Sequence, residues 1–265
     1  MTRTISNSFA GILQDLELER PLLVTSEHLS DLKEKYHITS SVEVVAARLK
    51  EKGWLLSTDR QGVWEFAPAE VAGTYSTNDP LLCFRTFRAK YPAVKCALTF
   101  QTAAWLYGDL DRVPSSVHVS VEENKHARPL KGHALVSIFQ PKLNTQSISD
   151  VLVLARESVI VQMTAKPSSV SSWASVPEWL PDFCAGLSLD KVFEELEDRP
   201  PFTSQRLGYL IQRIRPDIAD DLMKRFKPVS NAWFGDRKQT LRYDKRFLVA
   251  DALLPFDPQK IGGAK

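Results

Sequence analysis

Apolar residues near the start of the chain recur every three or four positions, which is the spacing of amphipathic helices. The first run comprises Phe9, Ile12, Leu13 and Leu16. Pro21 ends this segment, and Thr25 is placed to cap a second helix that contains Leu29, Leu32 and Tyr36. The pattern therefore predicts two helices before the residue pair His37-Ile38.

A third helix is predicted to begin after Thr39-Ser40-Ser41 and to end at Gly53. Its apolar positions have helical spacing and are Val42, Val45, Ala46 and Leu49. Two strand-like runs follow, Trp54–Leu56 and Val63–Phe66, with the turn Asp59–Gly62 between them. Three helices followed by a two-stranded wing predict a winged helix-turn-helix over residues 1–70.

The remaining residues predict a larger domain over residues 81–258, joined by the linker Ala67–Pro80. Helical patterns occur at Leu81–Tyr91, Thr99–Tyr107, Trp173–Phe183, Ser188–Leu196, Thr203–Arg213 and Ile218–Phe226. Partial period-two runs, explained by antiparallel strands, occur at Val117–Val121, Ala134–Phe139, Val151–Leu154 and Val159–Met163. The predicted fold class is α+β: a winged helix-turn-helix, then a mixed domain with helices and a small, mainly antiparallel sheet.

The composition is that of an ordinary globular protein, because 43% of the 265 residues are apolar and 25% are charged. No apolar run approaches the ~18 residues of a membrane helix, and the N-terminus lacks an apolar leader, so we expect a cytoplasmic protein. The net charge is −3 over residues 1–75, +4 over 76–170 and +1 over 171–265. Charge alone therefore does not identify a nucleic-acid partner.

The face of the third helix that points away from its apolar residues is composed mainly of small side chains. Val44 and Ala47 are small enough to contact a thymine methyl, and Arg48 suits guanine. Ser40 and Ser41 at the helix N-terminus suit a phosphate, and Arg60 on the wing tip could reach a flanking groove or phosphate. The predicted DNA-contacting residues are Ser40, Ser41, Val44, Ala47, Arg48, Lys50 and Arg60.

Other features of this region weigh against DNA binding. Glu43 and Glu51 lie in the same helix, and the segment is acidic overall. A helical bundle with a short surface helix would explain the same pattern. Because few cations mean little counterion release, one copy would bind double-stranded DNA weakly. We therefore expect dimerisation, cooperative assembly of monomers on the DNA, or help from the second domain.

A basic segment near the C-terminus is a second candidate surface. Its cations are Lys224, Arg225, Lys227, Arg237, Lys238, Arg242, Lys245 and Arg246, offset within the segment by Asp236 and Asp244. One interpretation is a solvated face with ion pairs. The other is a patch for DNA phosphates or for an acidic protein partner.

No catalytic or cofactor-binding motif stands out. The sequence lacks G-x-S-x-G, a P-loop, a dinucleotide fingerprint and histidine pairs with metal-ligand spacing, so we expect no enzyme activity, cofactor or metal. Asp109 and Asp111 form a D-x-D pair, as in nucleotidyltransferases, but no Gly-Ser turn precedes them. We interpret this pair as a helix exit, with a divergent nucleotidyltransferase as the alternative.

Several short motifs, taken in order, resemble the AbiEi-type antitoxins. Leu49–Leu55 is similar to the L-x-x-x-G-x-L step, and Ala103–Gly108, followed by Val113-Pro114, is similar to the helix, glycine and strand opening. Gln205–Leu210 contains the R-L-G-Y-L pattern. The wing ends in Gly62-Val63-Trp64 where the family usually has G-x-Y, which is a mild departure.

The resemblance implies an antitoxin and autorepressor of a toxin–antitoxin operon. Its winged helix would bind repeats in the operon's own promoter, and its C-terminal domain would counteract a nucleotidyltransferase-like toxin encoded alongside. A regulator whose C-terminal domain senses a small ligand, in a pocket among the middle strands, is the main alternative function.

Overall fold

The computed structural model describes residues 7–71, 76, 78–122, 130, 134–139, 144–237 and 239–262. The chain divides into two compact units, Met1–Val94 and Lys95–Lys265. The sequence pattern placed the linker at Ala67–Pro80, whereas the units meet after Val94. The difference arises from one helix, α4 (Leu82–Lys90), which belongs to the first unit.

The first unit has the element order of a winged helix. Its elements are α1 (Asn7–Glu19), β1 (Leu23–Thr25), α2 (Ser26–Lys35), α3 (Val42–Glu51), β2 (Leu55–Ser57) and β3 (Val63–Phe66). The three strands form an antiparallel sheet in the order β1-β3-β2. Strand β1 was not anticipated, because three residues are too few to show a strand period.

Caps and a buried core fix the predicted helices of this unit. The Thr25 hydroxyl accepts a hydrogen bond from the His28 amide at 3.1 Å, which caps α2 as predicted. Gly53 follows α3 in the left-handed region, with φ of 75°. Apolar residues of all three helices form one core, among them Ile12, Leu29 and Leu49.

Helix α4 packs against β1 and β3 of the winged helix. Its Phe84 and Phe87 are fully buried, and the Thr86 hydroxyl donates a hydrogen bond to Asp59 Oδ1 at 2.8 Å. Because Asp59 lies in the turn of the wing, this hydrogen bond holds the wing turn against α4. The first unit is therefore a winged helix with one additional helix.

The second unit contains a five-stranded mixed sheet. Its strands are β4 (Cys96–Leu98), β5 (His118–Val121), β6 (Leu135–Ile138), β7 (Thr145–Ile148) and β8 (Val151–Leu154). They lie in the order β6-β5-β4-β8-β7. The pairs β4–β5 and β7–β8 are antiparallel, whereas β5–β6 and β4–β8 are parallel. The α+β class is confirmed, with β5 and β6 running parallel where antiparallel strands were expected.

Helices surround this sheet and a second, smaller one. The helices are α5 (Phe100–Leu106), α6 (Arg156–Ala165), α7 (Leu180–Ala185), α8 (Leu189–Leu196), α9 (Pro201–Ile211) and α10 (Pro216–Arg225). Short 3-10 helices occur at Ala69–Val71, Pro167–Ser169, Trp173–Glu178 and Pro258–Lys260. The smaller sheet consists of β9 (Ala232–Phe234), β10 (Arg242–Asp244) and β11 (Val249–Asp251), in the order β10-β11-β9.

The prediction of a strand at Val159–Met163 was wrong, because these residues lie in α6. Every side chain from Glu157 to Thr164 is buried. A helix that is buried on all sides shows no amphipathic period, and a short apolar run then resembles a strand. Gln162 of this helix binds three hydroxyl groups: those of Thr99, Ser120 and Ser137.

Candidate nucleic-acid interface

Helix α3 presents the predicted face of small side chains to solvent. Val45, Ala46 and Leu49 are buried, whereas Ala47 and Arg48 are exposed and Val44 is 42% exposed. The helical wheel therefore separates the two faces as the sequence pattern predicts. The exposed face therefore combines the small side chains Val44 and Ala47 with the cation Arg48.

The N-terminus of α3 is capped by its own serine. The Ser41 hydroxyl accepts a hydrogen bond from the Val44 amide at 3.4 Å, and Ser40 is partly buried beside it. Glu43 adds a carboxylate to the same turn. Its own backbone N–H and the Ser41 side chain keep the pKa of Glu43 below its usual value, so this group is ionised at neutral pH. An incoming phosphate would meet this negative charge.

Two further predicted contacts, Arg48 and Lys50, are exposed on α3. The Arg48 guanidinium lies 5.4 Å from the centre of the Phe9 ring, in a cation–π contact with α1. With this contact, the Arg48 side chain stays exposed on the same face of α3 as Ala47. Lys50 lies toward the wing, where it lines a groove between α3 and the wing turn.

Arg60 has surroundings that differ from those expected of a wing tip. Its side chain is only 12% exposed, and its Nε lies 3.3 Å from Asp59 Oδ2. The guanidinium also lies 5.7 Å from the centre of the Phe87 ring of α4. Arg60 therefore packs against α4, and most of its side chain is shielded from solvent.

Lys90, a cation that the sequence pattern did not indicate, lies in the groove beside α3. Lys90, in the last turn of α4, is exposed and lines the same groove as Lys50. The sequence pattern predicted the helix but assigned it to the second domain. A lysine at the end of a helix gave no signal that it would adjoin the wing.

Half of the cations in the basic segment near the C-terminus form ion pairs. Arg242 forms a 2.9 Å ion pair with the fully buried Asp251. Surface pairs join Lys224 to Asp221, Arg225 to Glu197, and Arg246 to Asp220. The cations that remain exposed, with no ion pair among the described residues, are Lys227, Arg237 and Lys245, and Lys238 lies outside those residues. The solvated-face interpretation thus accounts for half of the segment.

The second unit contains a cleft of about 570 Å³ beside the first residues of β5 and β6. Its lining includes Gln101, His118, Leu135, Ser171 and Trp179. His118 Nε2 lies 2.8 Å from the Ser171 hydroxyl. Burial lowers the pKa of His118 to about 4, so the imidazole is neutral at physiological pH.

In the Asp109-Leu110-Asp111 pair, Asp109 is part of the structural framework, whereas Asp111 is exposed. Asp109 Oδ2 accepts a hydrogen bond from Arg156 at 2.5 Å, and Arg156 also donates to the Phe183 carbonyl. No group of three or more potential metal ligands occurs within the described ranges. These contacts favour the helix-exit interpretation of the pair over a nucleotidyltransferase site.

Comparison with known proteins finds a family match for the larger part of the second unit. Residues 94–213 match the family model of the AbiEi antitoxin C-terminal domain. This region is an AbiEi-type antitoxin domain. The match extends from the residue before the second unit, through the five-stranded sheet, to the end of α9. The resemblance to AbiEi-type antitoxins is thereby confirmed, and the R-L-G-Y-L motif of Gln205–Leu210 lies in α9 of this domain.

The fold extends beyond the AbiEi-type domain. A crystal structure of the RV2827C protein from Mycobacterium tuberculosis has a TM-score of 0.77 at 21% sequence identity. The alignment covers 96% of this chain and 94% of that chain, so the two proteins share a fold. No curated protein matches the sequence. Across the described residues, no helix combines the length and apolar character needed to cross a membrane.

Proposed function

We propose that this protein is an antitoxin that also binds double-stranded DNA and represses its own operon. The AbiEi-type domain supports the antitoxin role. The observation that favours DNA binding is the exposed face of α3, where Val44, Ala47 and Arg48 stand clear of the core. Helix α3 would enter the major groove of the DNA. The groove of the protein between α3 and the wing would then lie along the phosphate backbone.

A reporter gene under the protein's own promoter tests repression. The wild-type chain should lower reporter expression, and a variant with Ala47→Glu should not, because a carboxylate on this face would repel phosphates and clash with base edges. Ala47 is exposed, so the substitution should leave the fold intact. Equal repression by both proteins would exclude α3 as the recognition helix.

The second part of the proposal concerns a protein toxin. We infer that the AbiEi-type domain counteracts a nucleotidyltransferase-like toxin encoded by the neighbouring gene, without itself being an enzyme. Expression of that gene alone should arrest growth, and co-expression of this protein should restore it. The Ala47→Glu variant should still restore growth, because the two activities would reside in different units. Growth arrest that persists with the wild-type protein would contradict the antitoxin role.

A ligand-sensing regulator is the second candidate, and the cleft beside β5 and β6 favours it. A volume of about 570 Å³ is within the range of small-molecule sites. If this candidate were correct, a small molecule would change the affinity of the protein for its promoter in the absence of any toxin. Dependence on the co-expressed neighbouring protein would favour the antitoxin instead.

A further inference from the structure

A groove of about 330 Å³ separates α3 from the wing in the first unit. One wall is formed by α3 and the other by the wing turn, with the end of α4 completing it. Its lining residues are Ser26, Val42, Glu43, Ala46, Ala47, Lys50, Gln61, Gly62, Trp64 and Lys90. The groove adjoins the proposed recognition face, because Ala47 and Lys50 belong to both.

The polar side chains in this lining are mainly hydrogen-bond donors. Lys50 and Lys90 contribute ammonium groups, and within the described part of the chain neither forms an ion pair with a carboxylate. Gln61 and Trp64 add an amide and an indole N–H. Glu43 is the one carboxylate in the described lining, and it lies at the first turn of α3. Two unpaired cations beside neutral donors suit an anion with several oxygen atoms.

Packing of α4 places Lys90 at the groove. Phe87 is fully buried, and Thr86 is bonded to Asp59, so the end of α4 is held against the wing. A methyl group built on Gly62 would lie 3.4 Å from Lys90 Nζ, which locates the ammonium beside the wing turn. Gly62 itself has φ of 79°, a left-handed conformation that glycine adopts without strain.

The same packing explains why Arg60 is unsuited to a phosphate contact. Arg60 points to Asp59 and Phe87 on the α4 side of the wing, whereas Lys90 lies on the side of Gly62 and Lys50. Arg60 of the wing therefore packs within the unit, and Lys90 of α4 contributes the cation on the face beside α3.

From this arrangement we infer that Lys90 and Lys50 bind a phosphodiester of duplex DNA in the groove between α3 and the wing turn. Lys90 performs the role that the sequence pattern assigned to Arg60. This inference rests on the proposed DNA-binding function and extends its surface to α4. The contacts are to the backbone, so they add affinity without sequence preference.

Equilibrium binding of the full-length protein, measured as a function of salt, tests the inference. Two probes are used: a fragment of the protein's own promoter and a random-sequence duplex of equal length. Because each phosphate contact releases about 0.9 counterions, Lys90→Ala should lower the slope of log affinity against log salt by about one. At 0.15 M salt its affinity should fall by roughly fivefold on both duplexes.

Two variants serve as matched comparisons. Lys35→Ala removes a lysine that pairs with Asp15 outside the groove, and its salt slope should equal that of the wild type. Arg60→Ala should also keep the wild-type slope, while lowering the free energy of unfolding of the first unit. Lys50→Ala should lower the slope as Lys90→Ala does.

The outcomes separate this inference from the proposed function. If the wild type binds its promoter and Lys90→Ala retains the full salt slope, the inference is wrong and the proposed function stands. If Arg60→Ala lowers the slope with unchanged stability, the phosphate contact belongs to the wing turn and the inference is again wrong. If the wild type binds neither duplex, the proposed function itself is contradicted.

Discussion

Arg48 is the side chain on α3 that we predict to recognise a base. It is exposed, and its contact with the Phe9 ring limits the directions in which the guanidinium can extend. We expect Arg48→Ala to weaken specific DNA binding by ~1–3 kcal/mol and to relax the preference at one base pair. Quantitative footprinting on promoter fragments with single-base changes measures this. If Arg48→Ala leaves the footprint and the base preference unchanged, Arg48 does not recognise a base.

Glu43 places a negative charge where DNA would approach α3. Its lowered pKa keeps it ionised across the physiological range, so protonation does not relieve the repulsion. We expect Glu43→Gln to increase DNA affinity by about two- to fivefold at low salt, corresponding to the effect of one charge at a helix terminus. Filter binding against Glu19→Gln, on α1, measures the difference. Lower affinity of Glu43→Gln would indicate that the carboxylate orders α3 for binding.

His118 should make the second unit sensitive to acid. In the folded protein its pKa is lowered to about 4 by burial, against an ordinary value of 6.5. As the pH falls from 6.5 to 4, the His118 imidazole is protonated in the unfolded chain but stays neutral in the folded protein. The free energy of unfolding should therefore fall over this range by about 3 kcal/mol from this residue, at 1.36 kcal/mol per pKa unit.

Urea unfolding of the wild type and His118→Gln at pH 7 and pH 4 measures this contribution. Glutamine retains a side-chain amide that can form a hydrogen bond with the Ser171 hydroxyl. The decrease in stability between the two pH values should be smaller in the variant. An equal decrease in both proteins would show that His118 does not cause the acid sensitivity.

At the scale of single elements, the sequence predicted the winged helix well because its signals are local. Val45, Ala46 and Leu49 repeat at helical spacing, Ser41 and Gly53 mark the ends of α3, and the wing follows at once. These patterns arise from burial on one face only. The exposed face of α3 could be predicted for the same reason.

Other elements gave no such signal. Helix α6 is buried on all sides, so its apolar run resembled a strand. Strands β1, β9, β10 and β11 have three residues each, too few for a period to appear. The assignment of α4 to the first unit depends on long-range contacts with β1 and β3, which the sequence pattern does not encode. For this reason the sequence pattern indicated neither that Lys90 lies beside the wing nor that Arg60 packs against α4.

The packing of α4 can be tested by a single substitution at Phe87. Phe87 is fully buried, and it contacts Arg60 and Tyr91. We expect Phe87→Ala to lower the free energy of unfolding of the first unit by ~3–5 kcal/mol, as for other buried phenylalanines. DNA affinity should fall with it, because the end of α4 would no longer hold Lys90 at the groove. Urea unfolding and DNA titration together check both effects. Full DNA affinity in a destabilised variant would separate α4 from the interface.

At the scale of the whole molecule, the two units offer two different kinds of surface. The second unit contains the AbiEi-type domain, which supports the antitoxin role. The first unit has net negative charge over residues 1–75, yet the polar side chains that line the groove beside α3 are mainly hydrogen-bond donors. Local arrangement, with Lys90 added from α4, therefore matters more for the proposed DNA contact than net charge does.

Binding of the purified full-length protein to its own promoter, compared with a shuffled duplex of the same length and composition, is the most direct measurement. Both titrations are performed at one salt concentration near 0.15 M, because affinities at different salt concentrations are not comparable. We predict at least about a thousandfold preference for the promoter, typical of specific DNA-binding proteins, and loss of this preference in Ala47→Glu. Equal affinity for the two duplexes would contradict the account.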